Sequence, residues 1–174
     1  MKKSLMFSLI TIFFVSTFAF SQTSADAKST VEKFYKFYRT RNGVVSTHEL
    51  NLIKPWFTTD LTKLFQNEIK REAEYLKKHS DDKPYFGDGF PFNPYEECVA
   101  ENKIILNIIE VEEIKLDANK AMVEVTFIQP KECGGENVDT YKIELLKNKN
   151  RWLINDWIYS DETKLTDDLK RKDY

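Results

Sequence analysis

The spacing of apolar residues predicts helices in the first half of the chain. Within residues 24–43 the apolar positions recur three or four residues apart, which is the period of an amphipathic helix with one buried stripe. These positions are Ala27, Val31, Phe34, Tyr35 and Tyr38. The same period runs through residues 58–79. A shorter helix is predicted from Thr47 or His48 to Lys54, before Pro55.

From residue 101 onward the apolar period changes to two, which predicts strands. Four β-branched or alternating segments follow one another, at residues 101–116, 121–130, 138–147 and 151–160. Strands joined by such short turns pair antiparallel. Helices followed by an antiparallel meander predict an α+β fold, in which the N-terminal helices cover one face of a curved, roughly four-stranded sheet.

Residues 1–21 differ in composition from the rest of the chain. Lys2 and Lys3 precede a run from Leu5 to Phe20 in which only small hydroxyl residues interrupt the apolar ones. This basic, apolar and then small-residue layout is typical of a secretory signal peptide. The run is shorter than the roughly 18 apolar residues of a membrane-spanning helix. We therefore expect export to the periplasm or the medium, with no membrane anchor left after cleavage.

Cleavage after Ser21 leaves residues 22–174 as one domain, in which residues 161–174 are predicted to be a polar tail. Loss of Lys2 and Lys3 reduces the basic residues from 26 to 24 against 28 acidic ones, so the net charge becomes 24 − 28 = −4. Charges of both signs are mixed along the chain, as on a solvated surface. A mildly acidic domain without a basic patch is not expected to bind nucleic acid or anionic lipid.

The chain has two cysteines, Cys98 and Cys133. Export places them in an oxidising compartment, where pairing is the default. There is no CxxC redox motif, and His48 and His79 do not complete a zinc site of recognised spacing. We expect a structural disulfide, which on the chain-entropy model stabilises by roughly 3–4 kcal/mol. No cofactor motif and no metal site is assigned.

The last predicted strand and the segment before the sheet carry a resemblance to a known family. The strand has the form W-x-I-x-D-x-x-Y, made by Trp152, Ile154, Asp156 and Tyr159. With the helical half and the segment "GFPFNPYEEC" (residues 89–98), it resembles the nuclear transport factor-like, or cystatin-like, cone fold. It is similar to small exported bacterial proteins of that superfamily whose domain has no assigned function. The superfamily includes isomerases, dehydratases, binding modules and inert scaffolds, so the fold alone does not choose among them.

The resemblance implies one enzyme hypothesis. Cone-fold enzymes use an acidic residue or a histidine inside the cone, sometimes with a tyrosine hydroxyl. Asp156 has the same strand parity as Trp152 and Ile154; if that parity faces the helices, Asp156 is a buried acid with Tyr95 or Tyr35 as its donor. The alternative is that Asp156 hydrogen-bonds the backbone or a lysine at the rim of the sheet. A carboxyl group in such a place can have a raised pKa, and a tyrosine can stabilise a developing oxyanion.

Aromatic side chains are the candidates for ligand or partner binding. The candidates are Trp56, Tyr85, Phe86, Tyr95, Trp152 and Trp157. Trp152 and Trp157 have opposite parity, so one of them should face away from the helices unless a bulge intervenes. Most rings of residues 84–98 are expected to pack on the core as a lid, leaving open whether Tyr85, Phe86 or Tyr95 faces outward.

These observations favour a non-enzymatic, exported binding domain. It would engage an envelope protein or a small ligand through the mouth of the cone or the exposed sheet face, and the immunity or inhibitor proteins of exported toxins are one concrete version. The alternative is an isomerase- or dehydratase-type enzyme that uses Asp156. A second alternative is a structural domain stabilised by calcium, for which the acids Asp81, Asp82 and Asp88 supply oxygen ligands.

Pairing of the two cysteines can be tested on the exported protein. We expect no thiol to react with iodoacetamide under denaturing, non-reducing conditions, and two to react after reduction, because the compartment is oxidising. Intact-mass measurement counts the added groups, and the same chain retained in a reducing cytoplasm is the control. Two alkylated cysteines without reductant would refute the disulfide.

Overall fold

The structure is a computed structural model, which describes residues 26–41, 45–81, 91–95, 99–100 and 103–171. The helices in these ranges are α1 (Ala27–Tyr38), α2 (Thr47–Ile53), α3 (Thr59–Leu76) and α4 (Leu165–Asp168). The strands are β1 (Val99–Ala100), β2 (Lys103–Ile104), β3 (Asn107–Leu116), β4 (Lys120–Ile128), β5 (Val138–Asn148) and β6 (Arg151–Ile158). Single 3₁₀ turns occur at Lys54–Trp56 and Lys131–Cys133.

The main sheet has four strands in the order β3-β4-β5-β6, and each strand is antiparallel to the next. The short strands β1 and β2 pair with each other in a separate sheet. Helix α1 packs against β3, β4 and β6. The predicted α+β fold, with helices on an antiparallel sheet, is therefore confirmed.

The core lies between α1 and one face of the sheet. Along β4, buried and half-buried side chains alternate, and the buried ones share a face with Ile143 and Leu145 of β5. The buried residues of β4 are Ala121, Val123, Val125 and Phe127. Helix α1 presents its predicted stripe to them, and Phe34 and Tyr35 are fully buried. Burial of both amphipathic faces is the main driving force for this arrangement.

The segment before the sheet contributes one ring to the centre of this core. Phe92 is fully buried, 4.5 Å between ring centroids from Trp157 and 5.3 Å from Phe34. The side chain of Asn93 bonds the backbone of Tyr95 and so fixes the turn that follows Phe92. Phe92 thus packs on the core as expected of the lid, whereas Tyr85 and Phe86 lie outside the described residues.

The end of the chain is part of the fold. Leu165 and Leu169, one helical turn apart, are both buried in the main core. Arg71 of α3 donates hydrogen bonds to the carbonyl groups of Leu169 and Arg171, and it forms an ion pair with the buried Glu68. The polar tail predicted for residues 161–174 is therefore corrected, because its two leucines anchor it.

The two edges of the main sheet differ. At the β6 edge, Phe57 bridges Ile154, the Thr58 N–H donates to the Ile154 carbonyl, and Lys164 bridges Ile158. At the β3 edge, no strand of the described ranges pairs with the outer side of β3. The pairing of β3 with β4 shifts its register twice, and the residues at the shifts, Ile109 and Ile114, are exposed.

Two of the predictions, the signal segment and the disulfide, fall partly or wholly outside the described residues. Residues 1–25, with the signal segment, are not described, and none of the helices that are described is both long and apolar enough to cross a membrane. Cys133 is not a free thiol. Because Cys98 lies outside the described ranges, its pairing with Cys133 remains a prediction.

Removing the Leu165 side chain should show that the C-terminal segment belongs to the cooperative fold. We expect Leu165→Ala to lower the free energy of unfolding by about 2–5 kcal/mol, since it leaves a cavity in the core. Leu76→Ala is the matched control, because Leu76 of α3 is 39% exposed. We expect it to change stability by less than about 1 kcal/mol. Equal effects of the two substitutions in urea denaturation would contradict a core role for Leu165.

Candidate functional site

A β-bulge in β6 determines where the predicted site residues point. Ile154 pairs with Leu145 and Asp156 pairs with Glu144, so Asn155 is an extra residue in β6. After the bulge, Trp157 pairs with Ile143 and joins the buried face. The predicted common face of Asp156 with Ile154 is therefore wrong. The bulge that sequence analysis allowed as an exception is what places both Trp152 and Trp157 in the core.

Asp156 is buried and bonded to its own chain. Its side chain is 5% exposed. Its Oδ1 accepts hydrogen bonds from the backbone N–H groups of Trp157 and Thr166, both at 3.0 Å, and its Oδ2 accepts from the Thr166 hydroxyl at 2.7 Å. Burial raises the pKa of Asp156 above its ordinary value, although these bonds and the charge of Lys164 oppose the rise. The immediate role of the carboxylate is to hold α4 against β6.

Other titratable groups surround this carboxyl. Burial, together with the nearby Tyr141 and Asp168, raises the pKa of Tyr159 well above its usual range. Burial and the neighbouring acids likewise raise the pKa of Asp168, and Arg171 partly offsets this effect. The Tyr159 ring packs edge-on against Tyr141, with ring centroids 5.0 Å apart. Asp156, Tyr159 and Asp168 thus hold their protons to higher pH than the same groups do in water.

The predicted tyrosine donors bond other groups. The Tyr35 hydroxyl accepts from the Trp157 indole N–H at 3.1 Å and donates to the Phe92 carbonyl at 3.2 Å. The Tyr95 hydroxyl donates to the Asn137 carbonyl at 2.7 Å. Neither bond involves Asp156, so the structure does not bring the predicted acid and donor together. Burial raises the pKa of Tyr35, and the hydrogen bond from Trp157 partly offsets the rise.

The aromatic candidates divide by burial. Trp157 is 0% exposed and Trp152 is nearly buried, so both are core residues. Trp56 is half-buried and packs on Phe37, with ring centroids 4.8 Å apart. Tyr95 is also half-buried. Among the described candidates, only Trp56 and Tyr95 keep a surface for a ligand or partner.

A groove is lined by residues of α3, β6, α4 and the segment just after α4. Its volume is about 470 Å³. The described residues that line it are Asp60, Leu61, Lys63, Leu64, Asn155, Thr166 and Lys170. The side chain of Asn155 is fixed there, since its amide donates to Glu144 at 2.7 Å and its oxygen accepts from the Thr58 hydroxyl at 3.2 Å. This groove has no signature in the sequence, because the segments that line it are distant in the chain.

The face of the sheet that points away from α1 is partly apolar. Four of its apolar side chains are half-buried and one, Val138, is 59% exposed. The half-buried ones are Met122, Ile128, Leu146 and Leu153. Met122, Leu146 and Leu153 lie toward one end of this face, and Ile128 and Val138 lie toward the other. Charged residues lie between the two ends, including Lys142, whose ammonium group is 2.7 Å from Glu162.

In the described part of the chain, no group of three or more histidine, cysteine, aspartate or glutamate residues could hold a metal ion. Of the acids suggested as calcium ligands, Asp81 is described, whereas Asp82 and Asp88 lie outside the described residues. The calcium alternative therefore remains untested.

Comparison with known proteins adds no assignment. No family model matches the chain, and neither the curated proteins nor the solved structures include a match. The resemblance to the cone fold thus remains a prediction, and the function has to be argued from the geometry of this chain.

Asp156→Asn should change the pH dependence of stability. Because the folded-state pKa of Asp156 is raised, the folded protein holds this proton more tightly than the unfolded chain does. Its contribution to stability therefore falls as the pH rises from about 4, the ordinary pKa of aspartic acid, through the raised folded-state pKa. We expect the unfolding free energy of the Asn variant, relative to wild type, to increase across this interval in urea denaturation.

Asp156→Ala is the matched control for this experiment. Asparagine keeps an oxygen for the N–H groups of Trp157 and Thr166, whereas alanine leaves both without an acceptor. An unpaired buried donor costs about 1–3 kcal/mol. We expect the alanine variant to be less stable than the asparagine variant at every pH. Parallel pH profiles for wild type and Asp156→Asn would contradict a raised pKa.

Proposed function

We propose that this protein is a non-enzymatic, exported binding domain that engages a protein partner through the sheet face directed away from α1. The observation that carries the proposal is the set of incompletely buried apolar side chains on that face, with Val138 at 59% exposure. If the outer face of this antiparallel sheet contacted only water, its strands would be expected to alternate cleanly between apolar side chains on the inner face and polar side chains on the outer face. Contacts through the mouth of the cone remain a second route to the same function.

The arrangement of this face suits a reversible protein contact. At one end Leu146 pairs with Leu153, and at the other end Ile128 pairs with Val138. Lys142 and Glu124 lie on the strands between these ends. Interfaces between separately folded proteins combine apolar and polar area in this way. An immunity- or inhibitor-like role, in which the domain covers part of an exported enzyme or toxin, fits such a surface.

The environment of Asp156 argues for binding rather than catalysis. Both carboxylate oxygens accept hydrogen bonds from the chain itself, and the predicted partner Tyr95 bonds elsewhere. A general base must come within hydrogen-bond reach of a substrate proton. The enzyme alternative retains one favourable observation, the raised pKa of Asp156 beside a groove. If Asp156→Asn left partner binding intact but abolished a measured turnover, the enzyme alternative would replace this proposal.

Charge substitutions on the sheet face test the proposal. The tagged mature protein is used to isolate its partner from the envelope fraction, and the affinity for that purified partner is then measured. We expect Val138→Lys and Leu153→Lys each to weaken the affinity by about fivefold or more, as for a residue that contributes to an interface. Urea denaturation confirms that the variants remain folded.

Leu76→Lys is the matched control, because Leu76 is an exposed apolar residue on α3 rather than on the sheet. We expect it to leave the affinity unchanged. The proposal fails if folded sheet-face variants bind as wild type does, or if Leu76→Lys weakens binding as much as they do.

A further inference from the structure

We propose that the groove between α3, β6 and α4 binds a small organic oxyanion, a carboxylate or a phosphate ester. This inference goes beyond the protein-binding role of the sheet face and does not depend on it. The groove of about 470 Å³ has the size of a small-molecule site, for which volumes of roughly 300–1,000 Å³ are usual.

The walls of the groove are held in place before any ligand arrives. The Asn155 side chain is bonded on both sides, to Thr58 and to Glu144. Thr166 is fixed by two groups, since its hydroxyl and its N–H both bond Asp156, and the preceding residue, Leu165, anchors α4 in the core. Walls that are already ordered lose little conformational freedom on binding, which favours affinity.

The charge of the groove favours an anion. Two lysines line it, Lys63 from α3 and Lys170 from the end of α4, against one carboxylate, Asp60. The Lys63 ammonium lies 3.9 Å from Asp60, and the Lys170 ammonium lies 3.8 Å from Asp167. All four side chains in these pairs are well exposed, so the pairs contribute little. Both ammonium groups can therefore turn toward a ligand oxygen at small cost.

The remaining lining selects for an organic anion over a bare ion. Leu64, which is half-buried, supplies apolar wall beside the lysines, whereas Leu61 is already buried. The Thr166 hydroxyl gives its proton to Asp156, so it offers an anion no hydrogen bond, and the charged end of a ligand depends on the lysines. An anion with a short apolar stem would cover Leu64 while the lysines bind its charged end. The carboxylate of Asp156 does not line the groove and already holds three donors.

Titration of the mature protein, labelled with ¹⁵N, with butanoate, acetate and inorganic phosphate tests the inference at ionic strength held constant with sodium chloride. We expect saturable amide shifts at residues 60–64, 155, 166 and 170, and tighter binding of butanoate than of acetate. If only butanoate saturates the shifts, the ligand class is a carboxylate. If only phosphate does, the class is a phosphate ester. If both do, the groove binds the oxyanion group that they share.

Lysine substitutions show whether the amide chemical-shift changes come from binding in this groove. We expect Lys63→Gln and Lys170→Gln each to weaken binding by roughly two- to fivefold, the effect of losing one exposed charge pair. Lys70→Gln is the matched control, because Lys70 is an equally exposed lysine of α3, paired with Glu74, that does not line the groove. The inference is overturned if no probe saturates, or if Lys70→Gln weakens binding as much as the groove variants do.

Discussion

The insertion of one residue, Asn155, into β6 determines how this strand contacts α1, α3 and α4. Without the bulge, Trp157 and Trp152 would point to opposite faces of the sheet. With it, Trp157 enters the core, where its indole bonds Tyr35 and its ring contacts Phe92. The same change turns Asp156 toward α4 and fixes Asn155 against Thr58, the N-cap of α3. One local irregularity therefore connects the central core with the helices at the β6 edge.

Buried polar groups in this protein mainly attach outer segments to the core. Asp156 holds α4, Glu68 and Arg71 hold the residues after it, and Glu49 holds α2 to the end of α1 through a two-pronged bond with Arg41. A buried charge without partners is costly, whereas these groups are bonded. The pKa of Asp156 is raised by its burial, and its hydrogen bonds to the chain oppose the rise, so a shifted pKa alone does not identify a catalytic residue.

Much of the fold could be predicted from the periodicity of the sequence. The predicted helices at residues 24–43 and 58–79 contain α1 and α3, and β4, β5 and β6 were expected at nearly their observed bounds. These segments are long, so their periods are clear. The strand predicted at residues 101–116 is divided in the structure into β2, which pairs with β1 in a separate sheet, and β3, which begins at Asn107. The position of the bulge could not be predicted. The extra residue reverses the inward and outward alternation of side chains in β6 only after Asn155, and few residues of the strand remain there to show the change. The buried C-terminal segment was missed because α4 has only four residues, too few to display a helical period. Its one visible signal is the spacing of Leu165 and Leu169 by a single helical turn.

The candidate site was harder to predict than the fold for a related reason. Asp156 is buried, but on the face opposite to the one that strand parity indicated, and its partner Thr166 is an ordinary residue that no motif distinguishes. The groove combines α3 with the last part of the chain, and contacts at such separation leave no pattern in a single sequence. Sequence analysis thus identified the residue types that could do chemistry, but not the neighbours that determine what they do.

The unequal edges of the main sheet have a consequence for how the protein behaves at high concentration. On one side, backbone groups of β6 are already taken by Phe57, Thr58 and Lys164. On the other side, two register shifts and the exposed acids Glu110 and Glu112 make β3 a poor template for a further strand. A sheet that resists extension in both directions does not easily join copies of itself into fibrils.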